Sequence, residues 1–137
     1  MLNDSSPPAA RLLHTMLRVR DLDAMLGFYC GQLGMQEIRR IEFDRQRYSL
    51  VFIGYGAQPS GPQVELWHEW DGGRPYERGT AYGHLGIGVQ DIHGFCERLQ
   101  HSGVTLDRAP APMRPGGRII ALLRDPEGNE IELLGNG

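Results

Sequence analysis

The chain has 137 residues, enough for one domain with a modest core, and its 40% apolar and 23% charged residues are ordinary for a soluble globular protein. A formal net charge of −3 gives no case for nucleic acid or an anionic membrane as a partner. No apolar run approaches the ~20 residues of a membrane span. Residues 1–10 lack the features of a secretory signal, so we expect them to form a flexible lead-in.

The first half of the chain predicts a strand, a helix and three further strands. His14 lies in the first strand, and Asp21 or Asp23 can cap the helix that Gly34 ends. The apolar stripe of this helix, at helical spacing, consists of Leu22, Met25, Leu26, Tyr29 and Leu33. Strand-like runs follow over residues 35–41, 47–54 and 63–68. This half predicts an N-terminal module over residues 11–68.

A polar, glycine-bearing linker over residues 69–82 precedes a second half with the same order of elements. A strand begins at His84, and Asp91 can cap a helix that Gly103 ends. The helix stripe consists of Ile92, Phe95, Cys96 and Leu99. Strands are expected over residues 104–108, 118–124 and 129–134, giving a C-terminal module over residues 83–137. The two modules together are expected to form one structural domain.

The two halves repeat the same chemistry at equivalent positions. HTMLRVRD and HLGIGVQD open the halves with His14 and His84, and the last strands, in QVELW and EIELL, carry Glu65 and Glu132. Strand alternation places the aliphatic residues on one face, towards the helix, and both His and both Glu on the other. We therefore predict an α+β fold in which two tandem βαβββ modules form curved mixed sheets around a metal site.

Two imidazoles and two carboxylates suit Zn, Co, Ni, Mn or Fe, and four protein ligands leave positions for water or substrate. A single His on a strand is more often a hydrogen-bonded residue than a ligand, but the repetition of all four favours the metal interpretation. The other histidines, His68, His93 and His101, receive no role. Met16 and Trp67 share the ligand face and are expected to wall a substrate. Cys30 and Cys96 are expected to be reduced thiols of a cytoplasmic protein.

Several runs together resemble glyoxalase I, the lactoylglutathione lyase family of the vicinal oxygen chelate superfamily. They are RLLHTMLRV, RYSLVFIGYG, VELW, YERGTAYGH and DPEGNEIELL, and the resemblance covers residues 11–134. It implies that His14, Glu65, His84 and Glu132 bind the metal of a homodimer. Each site would lie at the interface, between the N-terminal module of one chain and the C-terminal module of the other. The chain resembles the short bacterial form, which implies Ni²⁺, with Co²⁺ or Zn²⁺ as alternatives.

The resemblance also implies the reaction and further roles. The enzyme isomerises the hemithioacetal of methylglyoxal and glutathione to S-D-lactoylglutathione, a detoxification in which Glu132 moves the proton and Glu65 is its counterpart. Arg18 would pair with a glutathione carboxylate, unless it is an ordinary exposed arginine. Arg114 would lie near the other end of glutathione, unless its loop is a solvated turn or a lid. The chain departs from the family at Glu69, where an asparagine usually contacts glutathione.

Two kinds of alternative remain open at this stage. Other enzymes of the superfamily include an acyl-CoA epimerase, thiol transferases and extradiol dioxygenases. Glu65 argues against the transferases and the dioxygenases. Arg18 argues against the epimerase, because it favours a tripeptide substrate over a CoA thioester. A metal-free protein that binds and sequesters small molecules would keep the fold without the four ligands. The presence of all four residues argues against that protein class.

Overall fold

The chain folds into two four-stranded mixed sheets, each following the predicted β-α-β-β-β order. The computed structural model describes residues 9–56 and 61–135, so residues 1–8 of the expected lead-in lie outside it. The division into lead-in, two modules and linker stays a prediction. No helix in these two described ranges is long and apolar enough to cross a membrane.

The first sheet has the order β1-β4-β3-β2, and the second has the equivalent order β5-β8-β7-β6. In each sheet, the first and last strands of that half of the chain are parallel neighbours. All other neighbouring strands are antiparallel. The strands of the first sheet are β1 (His14–Val19), β2 (Gln36–Phe43), β3 (Tyr48–Gly54) and β4 (Gln63–Glu69). Those of the second are β5 (Leu85–Gly88), β6 (Leu106–Pro112), β7 (Ile119–Arg124) and β8 (Glu130–Leu134). The helices are α1 (Leu22–Leu26) and α2 (Ile92–His101).

Both helices begin at the aspartate that closes the repeated motif. The side chains of Asp21 and Asp91 each accept a hydrogen bond from the backbone N–H three residues on, at 3.0 and 3.1 Å. Such caps satisfy backbone donors that have no partner within the helix. Gly34 and Gly103 follow the helical segments with φ of 82° and 94°, a conformation that glycine adopts without steric cost.

The first helix differs from the prediction in its second half. After α1 the chain continues in wider π-helical turns over Gly27–Gln32, and the N–H of Leu33 donates to the carbonyl of Phe28, five residues back. The predicted stripe is buried at Leu22, Met25, Tyr29 and Leu33 and only partly covered at Leu26, and Phe28 of the wider turns is buried as well.

The core lies on the helix side of both sheets, as the strand alternation predicts. The completely buried strand residues are all aliphatic and face the helices: Val19, Val51, Ile53, Leu66, Ala121, Leu123, Ile131 and Leu133. At roughly 1.5–3 kcal/mol for each larger aliphatic side chain, their burial is the main contribution to stability. The opposite faces, which carry the candidate ligands, are left for other contacts.

Two predicted strands have limits that differ from those of the structure. The strand expected over residues 104–108 is β6, which begins at Leu106 and extends through Pro110 to Pro112. Prolines are tolerated there because β6 is an edge strand, with irregular pairing between Arg108 and Ala111. His84 lies directly before β5 rather than within it.

The two halves are joined by polar contacts at the β7–β8 turn (residues 125–129). The hydroxyl of Tyr29 donates to Oδ2 of buried Asp125 at 2.6 Å. Oε2 of Glu127 accepts the backbone N–H groups of Arg20 and Asp21, at 2.8 and 2.9 Å. The turn of the second half is therefore attached to the start of α1 and to the π-helical turns of the first.

Candidate metal centre

His14 and Glu65 form one close pair on the uncovered face of the first sheet, which we call the N-terminal half-site. His14 opens β1 and Glu65 lies on the adjacent strand β4, where its backbone partner is Met16. The distance from Nε2 of His14 to Oε1 of Glu65 is 3.0 Å. Glu65 is only 9% exposed, whereas the imidazole is half-exposed at the edge of the sheet.

His84 and Glu132 form the equivalent pair on the second sheet, the C-terminal half-site. The distance from Nε2 of His84 to Oε1 of Glu132 is 3.1 Å, and Glu132 is also 9% exposed. Glu130 lies on the same face of β8, with its Oε1 4.0 Å from Nδ1 of His84. The repeat in the sequence is thus a repeat of geometry.

The donor atoms of both pairs fit a divalent metal. Two ligand atoms that bind one metal at 2.0–2.2 Å and at roughly a right angle are about 3 Å apart, which is the separation in each pair. A buried carboxylate requires a partner. In the described parts of the chain, the only basic side chain within ion-pair distance of either buried glutamate is its own histidine.

The two half-sites do not come together within one chain. Among residues 9–56 and 61–135, no group of three or more His, Cys, Asp or Glu side chains is arranged to hold a metal ion. A single chain therefore presents two incomplete sites rather than one complete site, and the four-ligand centre stays a prediction.

Arg18 and Trp67 lie side by side on the ligand face, on paired positions of β1 and β4. The guanidinium of Arg18 is 5.2 Å from the centre of the Trp67 ring, and Trp67 stacks on Tyr48 with centres 4.5 Å apart. Arg18 also lines a depression of about 370 Å³ together with Arg20, Arg78 and Glu127. A cation held against an aromatic face beside the half-site is suited to an anionic part of a substrate.

The remaining residues singled out in the sequence lie further from the half-sites or face away from them. Arg114 belongs to an exposed turn between β6 and β7. Glu69 ends β4 on the same face as Glu65 and is exposed. His68 faces the other side, with its Nδ1 3.3 Å from the carbonyl oxygen of Val19. His93 and His101, which received no role, lie on α2.

The sequence interpretation missed Arg39 on β2. Its guanidinium is 4.8 Å from the centre of the Phe52 ring, and the rings of Phe52 and His14 form a T-shaped contact with centres 5.4 Å apart. Neither composition nor spacing marks this arginine among the others of the chain. Its position depends on how β2 pairs with β3.

A sequence model of the Glyoxalase/Bleomycin resistance protein/Dioxygenase superfamily matches residues 11–133. The chain belongs to this superfamily. Members similar to it include a lactoylglutathione lyase of Haemophilus influenzae, 44% identical over 126 residues that cover 92% of this chain and 93% of the relative. The matching solved structures include glyoxalase I from Leishmania major, described as trypanothione-dependent, with TM-score 0.81, 37% identity and coverage of 93% of this chain and 87% of the other.

Glyoxalase I from Zea mays, another solved member of the superfamily, has TM-score 0.86 and 31% identity, covering 93% of this chain. This chain spans only 45% of the length of the maize protein. The superfamily fold is thus present here in a much shorter chain.

Proposed function

We propose that this chain is a lactoylglutathione lyase that isomerises the hemithioacetal of methylglyoxal and glutathione to S-D-lactoylglutathione. The observation that carries the proposal is the presence of two His–Glu half-sites on uncovered sheet faces. The distance from the imidazole nitrogen to the carboxylate oxygen is 3.0 Å in one half-site and 3.1 Å in the other. The similarity over most of the chain to curated lactoylglutathione lyases supports the same activity. The protein would thereby detoxify methylglyoxal.

We propose a homodimer as the active form. Each half-site supplies two of the four ligands, so the N-terminal half-site of one chain and the C-terminal half-site of a second copy would complete one N2O2 site. The uncovered face of the first sheet carries apolar side chains that suit such contact, including Met16, which is 36% exposed, and the neighbouring Leu50 and Phe52. Two equivalent sites per dimer follow from the symmetry.

His14, Glu65, His84 and Glu132 would hold one divalent metal, which we propose to be Ni²⁺, with Co²⁺ or Zn²⁺ as alternatives. When bound, the metal would act as a Lewis acid for the negative charge that develops on two adjacent substrate oxygens. This chemistry suits an isomerisation in which a proton leaves the carbon beside a carbonyl.

The side chains would have separate roles in the reaction. The carboxylate of Glu132 would accept the proton from one carbon and return it to the neighbouring carbon, so that no oxidant or reductant is consumed. Glu65 is its counterpart in the other half-site. Arg18 would bind a glutathione carboxylate from its place over Trp67, and Arg114 would lie near the other end. Both glutamates are 9% exposed, and this burial would help to keep water away from the transferred proton.

Two free cysteines support a cytoplasmic location, where glutathione keeps thiols reduced. Burial raises the pKa of the thiols of Cys30 and Cys96 above the ordinary value, and the carboxylate of Glu37 adds to the effect at Cys30. Both thiols are therefore poor nucleophiles at neutral pH, and neither takes part in the proposed reaction.

The decisive test is glutathione-dependent isomerisation of methylglyoxal by the purified chain, first stripped of metal and then supplied with Ni²⁺, Co²⁺ or Zn²⁺. We expect no activity without metal, high activity with nickel or cobalt and little with zinc. Glu132→Gln keeps the size of the side chain but removes the proton acceptor, and we expect it to lower kcat by at least about 100-fold.

Two results would contradict the proposal. A chain that binds nickel but isomerises no glutathione adduct would place it with another reaction of the superfamily, such as acyl-CoA epimerisation or thiol transfer. A chain that contains little metal and is not rescued by nickel would instead be a metal-free binding protein.

A further inference from the structure

Arg39 lies in one cross-strand row with the N-terminal half-site. The row runs across all four strands of the first sheet, from Met16 through Glu65 and Phe52 to Arg39. Residues directly opposite one another share a face of the sheet. Arg39 therefore faces the same side as Glu65, with Phe52 between them in the row and the imidazole of His14 in T-shaped contact with the Phe52 ring.

A β-bulge gives Arg39 this orientation. The pairing of β2 with β3 shifts between Glu37 and Arg39, so that Ile38 is an extra residue in β2. Without the bulge, strict alternation from Glu37 would place Arg40 on the ligand face and Arg39 on the opposite one. Bulges commonly redirect a side chain beside a functional site.

The two neighbouring arginines have opposite electrostatic surroundings. Arg40 forms ion pairs with Glu37 and Glu42, at 2.9 and 3.5 Å, on the face away from the half-site. Arg39 has no carboxylate within ion-pair distance in the part of the chain that the structure describes. Its positive charge is therefore available to a ligand on the side where substrate would bind.

Arg39 also lines the cavity beside the half-site. This cavity has a volume of about 480 Å³, and its other lining residues include His14, Phe52 and Arg11. None of the described residues that line it is acidic. A cavity with two guanidinium groups and no carboxylate favours an anionic ligand group.

We propose that Arg39 is a specificity-determining residue that binds the glycyl carboxylate of the glutathione moiety. The proposal rests on the proposed function, in which Arg18 takes the carboxylate at the other end. Arg18 and Arg39 are three strands apart, about 14 Å across the sheet. An extended tripeptide spans about 10 Å, and the two long side chains cover the rest. Each arginine lies over an aromatic ring, which holds its planar guanidinium ready for a carboxylate.

The test is the binding of S-hexylglutathione, a non-reactive thioether, measured by calorimetry with and without nickel. Each protein is also tested with the glycine-amide derivative of this probe, which lacks the glycyl carboxylate. Arg39→Gln is expected to weaken binding of the carboxylate form roughly tenfold and to leave binding of the amide unchanged. In the isomerisation assay KM is expected to rise with little change in kcat.

Arg40→Gln is the matched control, because it removes the same charge from the adjacent residue on the opposite face. It is expected to bind both probes as the wild type does. Arg39→Lys keeps the charge but not the planar fork, and is expected to give an intermediate affinity. Arg114→Gln is included because Arg114 is also proposed to lie near the glycyl end.

Two outcomes would overturn the inference, and they are distinguishable. If the wild type binds the probe and Arg39→Gln weakens the carboxylate and amide forms equally or not at all, the role of Arg39 is wrong while the proposed function stands. If the wild type binds neither probe, with or without nickel, glutathione is not its thiol and both proposals fail together.

Discussion

Glu65 and Glu132 are buried carboxylates that are also candidate metal ligands. Each is 9% exposed, and each has its carboxylate within about 3 Å of a single imidazole. Burial of a carboxylate is costly unless hydrogen bonds, a cation or a metal compensate. One imidazole on each carboxylate is modest compensation, and a shared divalent metal would supply the rest.

Glu69 is the residue whose change is expected to improve binding. It lies on the same face as Glu65 and Trp67, and Arg18 is paired with Trp67 on the neighbouring strand. An exposed carboxylate two residues along β4 from the partner of Arg18 would weaken the attraction of that arginine for a substrate carboxylate. We expect Glu69→Asn to lower KM for the hemithioacetal two- to fivefold without changing kcat, an effect of about 0.5–1 kcal/mol.

Steady-state kinetics at low and high salt check this expectation, because the difference between the variant and the wild type should shrink as salt screens the charge. A higher KM for Glu69→Asn would contradict it and would instead assign Glu69 to the α-ammonium group of glutathione.

Among the elements, the β7–β8 turn does more than connect two strands. Buried Asp125 accepts hydrogen bonds from the backbone N–H groups of Glu127 and Asn129, from the Asn129 side chain and from the hydroxyl of Tyr29. Because Tyr29 belongs to the other half of the chain, the turn attaches one half to the other. The relative position of the two half-sites depends on this attachment.

Tyr29→Phe removes only the hydroxyl, and we expect it to lower the free energy of unfolding at pH 7 by about 1.5 kcal/mol. Burial, and then the charge of Asp125, raise the pKa of Tyr29 far above its ordinary value of 10.0. Because the raised pKa belongs to the folded state, its contribution is complete below pH 10 and declines as pH rises above 10. The wild type should therefore lose more stability than the variant above pH 10.

Urea unfolding at pH 7 and at pH 10.5 measures both effects. Tyr76→Phe, in the linker, is the control and should change stability by less than about 0.5 kcal/mol. Equal alkaline losses in the wild type and Tyr29→Phe would show that Tyr29 does not supply the pH dependence.

The whole molecule presents two half-sites that its own fold keeps apart. The helices cover one face of each sheet, and the ligands occupy the other. If two copies of the chain combined their half-sites, the uncovered sheet faces would be covered and each ligand set would be complete. The proposed dimer would therefore both cover these faces and complete the proposed four-ligand sites.

Mixing two inactive variants tests whether the sites are shared. His14→Ala and His84→Ala are each expected to be inactive alone. If sites combine halves of different chains, subunit exchange between them creates heterodimers with one intact site, and activity returns to about a quarter of the wild-type value. Activity after co-refolding, together with dimer mass, is the measurement.

A mixture of His14→Ala with Glu65→Ala is the control, because both changes fall in the same half-site and no heterodimer contains an intact one. Absence of recovery in the His14→Ala and His84→Ala mixture, despite proven heterodimers, would mean that the dimer does not exchange half-sites.

The sequence by itself determined the order of the elements, the capping aspartates Asp21 and Asp91 and the face on which each His and Glu lies. These features are local, because apolar spacing, capping and strand alternation act over a few residues. Sequence alone was therefore sufficient to pair His14 with Glu65 and His84 with Glu132 as candidates.

Only the tertiary structure decided the features that depend on pairing between distant segments. The bulge at Ile38 that turns Arg39 towards the half-site, the extension of β6 through Pro110 and the separation of the half-sites within one chain are of this kind. Each is set by which strand a segment pairs with, or by how two sheets are placed, and no spacing within a short stretch of sequence contains that information.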